Sequence, residues 1–105
     1  LGVILACVSP EIIENSIDEI KKLSVPFGYK ANLWKAEEPV PVHKFASPSD
    51  KVGANPVEVM GTREDYTDMR FLEFSKKMMT KGSTILGGCC ETKPSHIKII
   101  SSLKN

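Results

Sequence analysis

The chain has 105 residues, enough for one domain, and its 41% hydrophobic and 26% charged residues are typical of a globular protein. The formal charge is +1, from 14 basic and 13 acidic residues. Because the basic residues are interleaved with acidic ones rather than clustered, the composition argues against a nucleic-acid-binding protein. Three cysteines, two of them adjacent, are a poor set for a secreted disulfide framework and favour reduced thiols in the cytoplasm.

The apolar run 1–8 predicts a strand buried on both faces, as in a parallel sheet. It is far too short to cross a membrane, and no basic segment precedes it, so we expect no membrane span or targeting segment here. Because the chain starts inside a predicted strand and without Met, we expect it to be part of a longer protein. Ser9 is a good N-cap and Pro10 a favoured first helical residue, so a helix follows. Its predicted apolar face carries Ile12, Ile13, Ile17, Ile20 and Leu23.

A second strand is predicted over residues 27–33, and a long proline-containing segment, 34–67, follows it. Loops of that length are uncommon in compact domains and are often functional. His43 lies in this segment, where we expect it to be exposed to solvent. Trp34 and Tyr66 flank the segment and could line a ligand pocket, although packing is the commoner role of such aromatic residues.

Two more helices and one strand complete the pattern. A second helix begins near Thr67 or Asp68 and ends at Gly82, a third strand covers 83–90, and Pro94 opens a third helix. The inner faces of these helices are predicted to carry Phe71, Leu72, Phe74, Met78 and Met79, and Ile97, Ile100 and Leu103, respectively. The order of three strand–helix pairs predicts an α/β protein built from right-handed parallel βα units.

Cys7 and Cys90 occupy equivalent places, each at the end of a predicted strand and just before a helix. Ligands of α/β proteins bind at this carboxyl edge of the sheet. One other strand separates the two. In an eight-stranded barrel, alternate strands point side chains into the same interior layer, so these thiols could converge on one ion.

Cys89 and Cys90 are adjacent, and on a regular strand they would point to opposite faces. Gly87 and Gly88 precede them and could give the backbone the freedom to present both thiols on one side. Spacing alone leaves three interpretations open: a metal site, buried thiols and a strained vicinal disulfide.

A resemblance favours the metal site. Segment 87–97, Gly-Gly-Cys-Cys-Glu-Thr-Lys-Pro-Ser-His-Ile, resembles the Gly-Gly-Cys-Cys-Gly-Thr-x-Pro-x-His-Ile signature of the homocysteine S-methyltransferase family. Segment 2–11 is similar to the family's Gly-Val-Asn-Cys-x-x-Pro-Glu segment, and 29–32 to its Tyr-x-Asn-type strand. The three segments follow the family's order across nearly the whole chain. The sequence departs from the pattern at Ala6, where the family usually has Asn, and at Glu91, where Gly is common.

The resemblance implies a (β/α)8 TIM barrel, of which residues 1–105 would be a single partial domain supplying the last three βα units. It also implies a Zn²⁺ cofactor whose ligands are Cys7, Cys89 and Cys90. The reaction would transfer a methyl group from a small donor to the thiol of homocysteine, forming methionine, although we expect the fragment alone to be inactive. We expect no nucleic-acid or membrane partner. Asn32 ends the middle strand and is a candidate substrate-binding residue.

His96 matches the family signature, but a capping or packing role is favoured for a His in the first turn of a helix.

The methyl donor stays open among S-methylmethionine, S-adenosylmethionine, betaine and a folate, and the acceptor could be selenocysteine or another thiol. Two other classes of protein also fit the residues. One is a non-enzymatic zinc or thiol-redox α/β module, and the other is a small α/β binding domain with buried cysteines.

Overall fold

The computed structural model describes residues 1–35 and 61–104. His43 therefore lies outside the described residues. The elements in chain order are β1 (Val3–Val8), α1 (Pro10–Ile20) with a 3-10 turn (Lys21–Leu23), β2 (Phe27–Ala31), α2 (Asp68–Thr80), β3 (Ile85–Gly88) and α3 (Pro94–Ser101). The predicted order of strands and helices is confirmed.

The helices begin and end where local chemistry predicts. The Ser9 hydroxyl accepts a hydrogen bond from the backbone N–H three residues later, and the Thr67 hydroxyl does the same at the start of α2. Pro94 is the first residue of α3. Gly82, just after α2, has φ +105°, a left-handed conformation that favours glycine. None of the helices within the described ranges is long and apolar enough to cross a membrane.

The three strands form a parallel sheet in the order β1-β2-β3, which confirms the predicted parallel α/β arrangement. Leu5, Tyr29 and Leu86 are neighbours across the sheet on the face that packs against the helices. Tyr29 is fully buried there, and its hydroxyl donates a hydrogen bond to the buried Ser75 Oγ at 2.7 Å. The core on this face comprises Ile13, Ile17, Phe27, Tyr29, Ala31, Leu33, Tyr66, Phe71, Phe74, Met78 and Ile100.

Four residues predicted to face the core are instead substantially exposed: Ile12, Leu23, Met79 and Ile97. Each lies at the edge of an apolar stripe. Because a helix turns about 100° per residue, the elements that pack on it cover the centre of such a stripe and leave its edges exposed. Leu23 has a second reason, since it belongs to the 3-10 turn, where the direction of side chains changes.

The second and third strands are shorter than predicted. β2 ends at Ala31, two residues before the predicted end, and β3 covers only Ile85–Gly88. Cys89 and Cys90 therefore lie beyond β3, in the connection to α3. This difference matters for the site, because the alternation of side chains along a strand does not apply to residues in a turn.

Candidate metal centre

The three cysteine side chains meet at the carboxyl edge of the sheet, and their sulfur atoms lie within 4.8 Å of one another. The Sγ–Sγ distances are 2.9 Å for Cys7–Cys89, 3.6 Å for Cys7–Cys90 and 3.9 Å for Cys89–Cys90. All three are free thiols; Cys7 is exposed and the other two are half-buried. The interpretation as buried thiols therefore does not describe this structure, whereas three clustered, accessible thiols could hold a metal ion.

Cys7 lies in a bulge of β1 rather than at the end of a regular strand. Ala6 pairs with Lys30 and Val8 with Ala31, so that Cys7 has no partner across the sheet. Its φ is +56°, a left-handed conformation that costs a residue other than glycine about 1–2 kcal/mol. Bulges of this kind redirect a side chain and are common beside functional sites. The bulge, which the sequence pattern did not predict, presents the Cys7 thiol to the cluster.

Asn32 supports the bulge through two hydrogen bonds and makes a third with the backbone of its own segment. Its side-chain Nδ2 donates to the Cys7 carbonyl at 2.7 Å, and its backbone N–H donates to the Val8 carbonyl at 3.0 Å. Its Oδ1 accepts a bond from the Trp34 backbone N–H at 3.3 Å. The structure thus places Asn32 next to the site, where it holds the backbone of a candidate ligand. A contact between Asn32 and substrate stays a prediction.

The turn after β3 is fastened to the end of β2 by its backbone. The Cys89 N–H donates to the Ala31 carbonyl at 2.8 Å, and the Cys90 carbonyl accepts from the Leu33 N–H at 2.9 Å. The Thr92 hydroxyl adds a bond to the Cys89 carbonyl at 2.6 Å. Because the chain has left the strand, the two adjacent cysteines can present their thiols on the same side.

The backbone freedom that this turn needs is not at the two glycines, so that part of the prediction was wrong. The residue with a left-handed backbone is Glu91, with φ +62°. Gly88 is required for a different reason: a Cβ at this position would lie 2.3 Å from Thr92 Oγ1, closer than atoms can approach. At Gly87 an added Cβ would make only ordinary contacts, at 3.6 Å.

Comparison with known families agrees with this geometry. The family model described as homocysteine S-methyltransferase matches residues 1–103 of the chain. The chain belongs to the homocysteine S-methyltransferase family. No curated protein matched it. The match confirms the resemblance of the chain to this family.

The structure explains two positions of the homocysteine S-methyltransferase signature. Glu91 stands where Gly is common, and its left-handed backbone is one that glycine adopts without strain. Its carboxylate accepts a hydrogen bond from the Thr62 hydroxyl at 2.5 Å. His96 is buried; its Nδ1 accepts from the Lys93 N–H at 2.9 Å, so Nε2 carries the proton and donates to the Tyr66 carbonyl at 2.9 Å. The favoured capping role of His96 is confirmed.

The thiols influence one another's ionisation. Burial disfavours the Cys7 thiolate, but hydrogen bonds with Cys89 and Cys90 outweigh this effect and lower the pKa of Cys7 below its ordinary value. Burial, together with the neighbouring Cys7 and Cys89, raises the pKa of Cys90 to about 11. The three thiols by themselves therefore favour a state with one thiolate over a state with three thiolates. A cation bound among the sulfur atoms would relieve this repulsion and allow all three thiols to ionise.

A polar cavity of about 320 Å³ lies beside the turn, and Tyr66, Thr62, Glu91 and Lys93 are among its lining residues. The described residues that line it include no cysteine. The Tyr66 ring also contacts the guanidinium groups of Arg63 and Arg70, whose Cζ atoms lie 4.6 Å and 4.7 Å from its centroid. This packing accounts for Tyr66, and we place the candidate site at the thiol cluster rather than in the cavity.

Proposed function

We propose that this chain supplies the last three βα units of a (β/α)8 barrel and the zinc site of a methyltransferase that converts homocysteine to methionine. Residues 1–105 would then form a single partial domain. The observation that supports the proposal most directly is the convergence of Cys7, Cys89 and Cys90 at the carboxyl edge of a parallel sheet, in a chain of this family. Three free thiols also suit a reducing compartment, so we place the protein in the cytoplasm.

The geometry of the cluster fits a zinc ion. With Zn–S bonds of about 2.3 Å, two sulfur atoms of a tetrahedral site lie about 3.8 Å apart. The Cys7–Cys90 and Cys89–Cys90 separations of 3.6 Å and 3.9 Å match this spacing, and the Cys7–Cys89 pair at 2.9 Å needs to open by about 0.9 Å. Thiolates are the soft ligands that zinc accepts readily.

A zinc ion held by these three thiols would have a fourth position open to substrate. Within residues 1–35 and 61–104, the cluster contains only the three cysteines. Catalytic zinc sites commonly have three protein ligands and one open position, whereas structural sites are closed by four. Bound Zn²⁺ would lower the pKa of an incoming thiol, so that it is present as the thiolate at neutral pH.

Residues around the cluster would fix the positions of the thiols, and so the direction of the open coordination position. The side chains of Asn32 and Thr92 hold the backbone carbonyls of Cys7 and Cys89, and so keep the thiols on one side of the sheet edge. We also propose that Asn32, which is half-buried beside Cys7, borders the bound substrate.

The reaction is a nucleophilic substitution at carbon. A lone pair of the homocysteine sulfur forms a bond to the methyl carbon of the donor. The bond between that carbon and the donor breaks, and its electron pair leaves with the demethylated donor. The substrate thiol would release its proton to solvent when it binds as the thiolate. What the protein contributes is therefore an ionised sulfur and a fixed direction of attack.

The alternative is a non-enzymatic zinc or thiol-redox module. Such a module would hold the metal with a fourth protein ligand or cycle between thiols and a disulfide, and homocysteine would not change the metal's coordination. Among residues 1–35 and 61–104 the cluster has three members, which favours the enzyme because a tetrahedral zinc held by them would leave one position for an external ligand.

The test begins with zinc content. Elemental analysis of the purified full-length protein, which contains this chain, should find about one zinc per molecule, as expected for a single site. Single substitutions Cys7→Ser, Cys89→Ser and Cys90→Ser should each lower the zinc content and abolish methyl transfer to homocysteine. Ser101→Ala, an exposed position on α3, is the control and should retain both.

X-ray absorption at the zinc edge then separates the enzyme from the closed module. Addition of homocysteine should raise the number of sulfur ligands from three to four. Retention of zinc in all three cysteine variants would refute the assigned ligands. An unchanged coordination shell with saturating homocysteine, together with no methyl transfer, would favour the non-enzymatic module.

A further inference from the structure

The side chain of Glu91 joins the turn after β3 to a distant segment of the chain. Glu91 directly follows the candidate ligand Cys90, and its carboxylate accepts a hydrogen bond from the Thr62 hydroxyl, with Oε2 and Oγ1 2.5 Å apart. Bonds between a hydroxyl and an ionised acceptor are about 2.5–2.7 Å long and about twice as strong as neutral ones. The contact therefore ties the residue beside a candidate metal ligand to Thr62.

Thr62 is itself held in place by a short antiparallel pairing with Trp34. The backbone N–H of the next residue, Arg63, donates to the Leu33 carbonyl at 2.9 Å, and the Leu33 N–H donates to the Cys90 carbonyl, also at 2.9 Å. The same pairing thus holds Cys90 by its carbonyl and the residue after it by its side chain. Two contacts on neighbouring groups restrict the rotation that one contact alone would allow.

The backbone of Glu91 is strained where glycine would not be. Its φ of +62° lies in the left-handed region, which glycine, the residue common here in the family, adopts freely. Strain of this kind persists where the surrounding contacts hold it, and it is frequent at functional sites. What Glu91 adds to the turn is the bond to Thr62, which glycine has no side chain to make.

The separations of the sulfur atoms show which thiol this arrangement serves. Cys90 Sγ lies 3.6 Å from Cys7 Sγ and 3.9 Å from Cys89 Sγ, and both distances are close to the roughly 3.8 Å of a tetrahedral zinc site. The pair that must open, Cys7 and Cys89 at 2.9 Å, does not include Cys90. Cys90 therefore already lies where a ligand is needed, and the other two thiols can move to close around the ion.

We propose that Glu91 is a positioning residue that acts through its bond to Thr62 to fix the direction of the Cys90 thiol, and so the direction of the open coordination position. The inference rests on the proposed function and adds to it a residue that the family's usual glycine does not supply. Three thiolates can hold the ion in either orientation. A substrate that also contacts the rest of the protein needs the open position to face it, and small misplacements of this kind have large effects.

The experiment removes the bond from each side in the full-length protein that contains this chain. The protein is loaded with Co²⁺, which occupies zinc sites and absorbs visible light according to its ligands. Homocysteine and 2-mercaptoethanol are titrated into it, and the absorption bands report binding of each thiol to the metal. Glu91→Gly and Thr62→Val should each weaken homocysteine about 10-fold, with unchanged metal content. The affinity for 2-mercaptoethanol should stay unchanged, because so small a thiol follows the open position wherever it faces.

Three further variants sharpen the test. Glu91→Gln keeps an oxygen acceptor for the Thr62 hydroxyl and should restore most of the affinity for homocysteine. The double variant Thr62→Val/Glu91→Gly should bind homocysteine no more weakly than either single variant, because both substitutions remove the same bond. Thr84→Val, an exposed position just before β3, is the matched control for Thr62→Val and should behave as the unsubstituted protein.

The contrary outcomes are separable. If Glu91→Gly and Thr62→Val bind homocysteine as tightly as the unsubstituted protein, the positioning role is refuted while the proposed function stands. If both thiols weaken equally, or the metal content falls, the bond supports the metal site as a whole and the inference is overturned. Equal losses in Glu91→Gln and Glu91→Gly would refute a role through Thr62. Unchanged absorption of the unsubstituted cobalt protein on addition of homocysteine would overturn the proposed function itself, and the inference with it.

Discussion

Two regions present the thiols, and they do so by different means. The bulge in β1 offers Cys7, whose own backbone is left-handed, with φ +56°. The turn after β3 offers Cys89 and Cys90, and there the left-handed residue is Glu91, with φ +62°. Each region thus contains one strained residue other than glycine, and such strain persists only where the surrounding contacts hold it.

The contacts that hold the two regions differ in kind. The side chain of Asn32 holds the carbonyl of Cys7, and one backbone bond joins Asn32 to the Val8 carbonyl, on a strand that has only β2 as a neighbour in the described sheet. Two backbone hydrogen bonds to the end of β2 and the hydroxyl of Thr92 hold the turn. We infer that changes in the turn mainly affect stability, whereas changes at the bulge mainly affect the affinity for metal.

The largest effect is expected from Gly88→Ala. The new methyl group would overlap Thr92 Oγ1, at 2.3 Å, so the turn must shift and lose the bond between Thr92 and the Cys89 carbonyl. Overpacking of this kind costs about 2–3 kcal/mol of unfolding free energy. Gly87→Ala is the matched control and should change stability by less than about 1 kcal/mol, since its new contacts are ordinary. Denaturant unfolding of the purified protein measures both, and equal effects would contradict the steric role of Gly88.

A smaller effect is expected at the bulge. Asn32→Ala removes the donor to the Cys7 carbonyl, and loss of a residue that orients a metal ligand weakens metal binding about 10-fold. Competition with a zinc chelator measures the affinity. Thr92→Val removes the comparable bond in the turn, where backbone bonds remain, and should weaken zinc binding less. A larger loss for Thr92→Val than for Asn32→Ala would reverse the proposed contrast between the two regions.

The smallest effect is expected for residues 62–65, which contact both the turn after β3 and the start of α1, the helix that follows the bulge. Thr62 bonds to Glu91 beside the turn, while Arg63 forms ion pairs with Glu11, in the first turn of α1, and with Asp65. The Arg63 guanidinium lowers the pKa of both carboxyl groups below their ordinary values of 4.5 and 3.8.

Because these pKa values are depressed in the folded state, the ion pairs of Arg63 stabilise the fold fully at pH values above the ordinary pKa values of the two carboxyl groups. This stabilisation is lost as the pH falls through the lower, folded values. Unfolding of the purified protein followed from pH 6 to pH 2.5, a window chosen to span both carboxyl groups, should show this loss. Arg63→Met should be less stable at pH 6 by up to about 1 kcal/mol and should lose less stability on acidification. If the unfolding free energies of the two proteins fall in parallel with pH, Arg63 makes no contribution. The zinc site is common to both proteins and would account for an equal loss.

Features with local causes could be predicted from the sequence. Ser9, Thr67 and Pro94 begin helices because capping and the missing proline N–H act within one turn. Ile12 and Ile97 were misplaced, because helical spacing identifies an apolar stripe but not how much of it neighbouring elements cover.

The sequence by itself determined that three βα units lie in order and that the three cysteines lie near the carboxyl ends of the first and third strands. Parallel strands bring such residues to one edge. Only the tertiary structure decided how the thiols converge. The bulge at Cys7 depends on the register between β1 and β2, and the left-handed turn at Glu91 depends on contacts with Ala31, Leu33 and Thr62. Partners so distant in the chain leave no periodic signal, because register and turn geometry arise from pairing between segments rather than from composition within one.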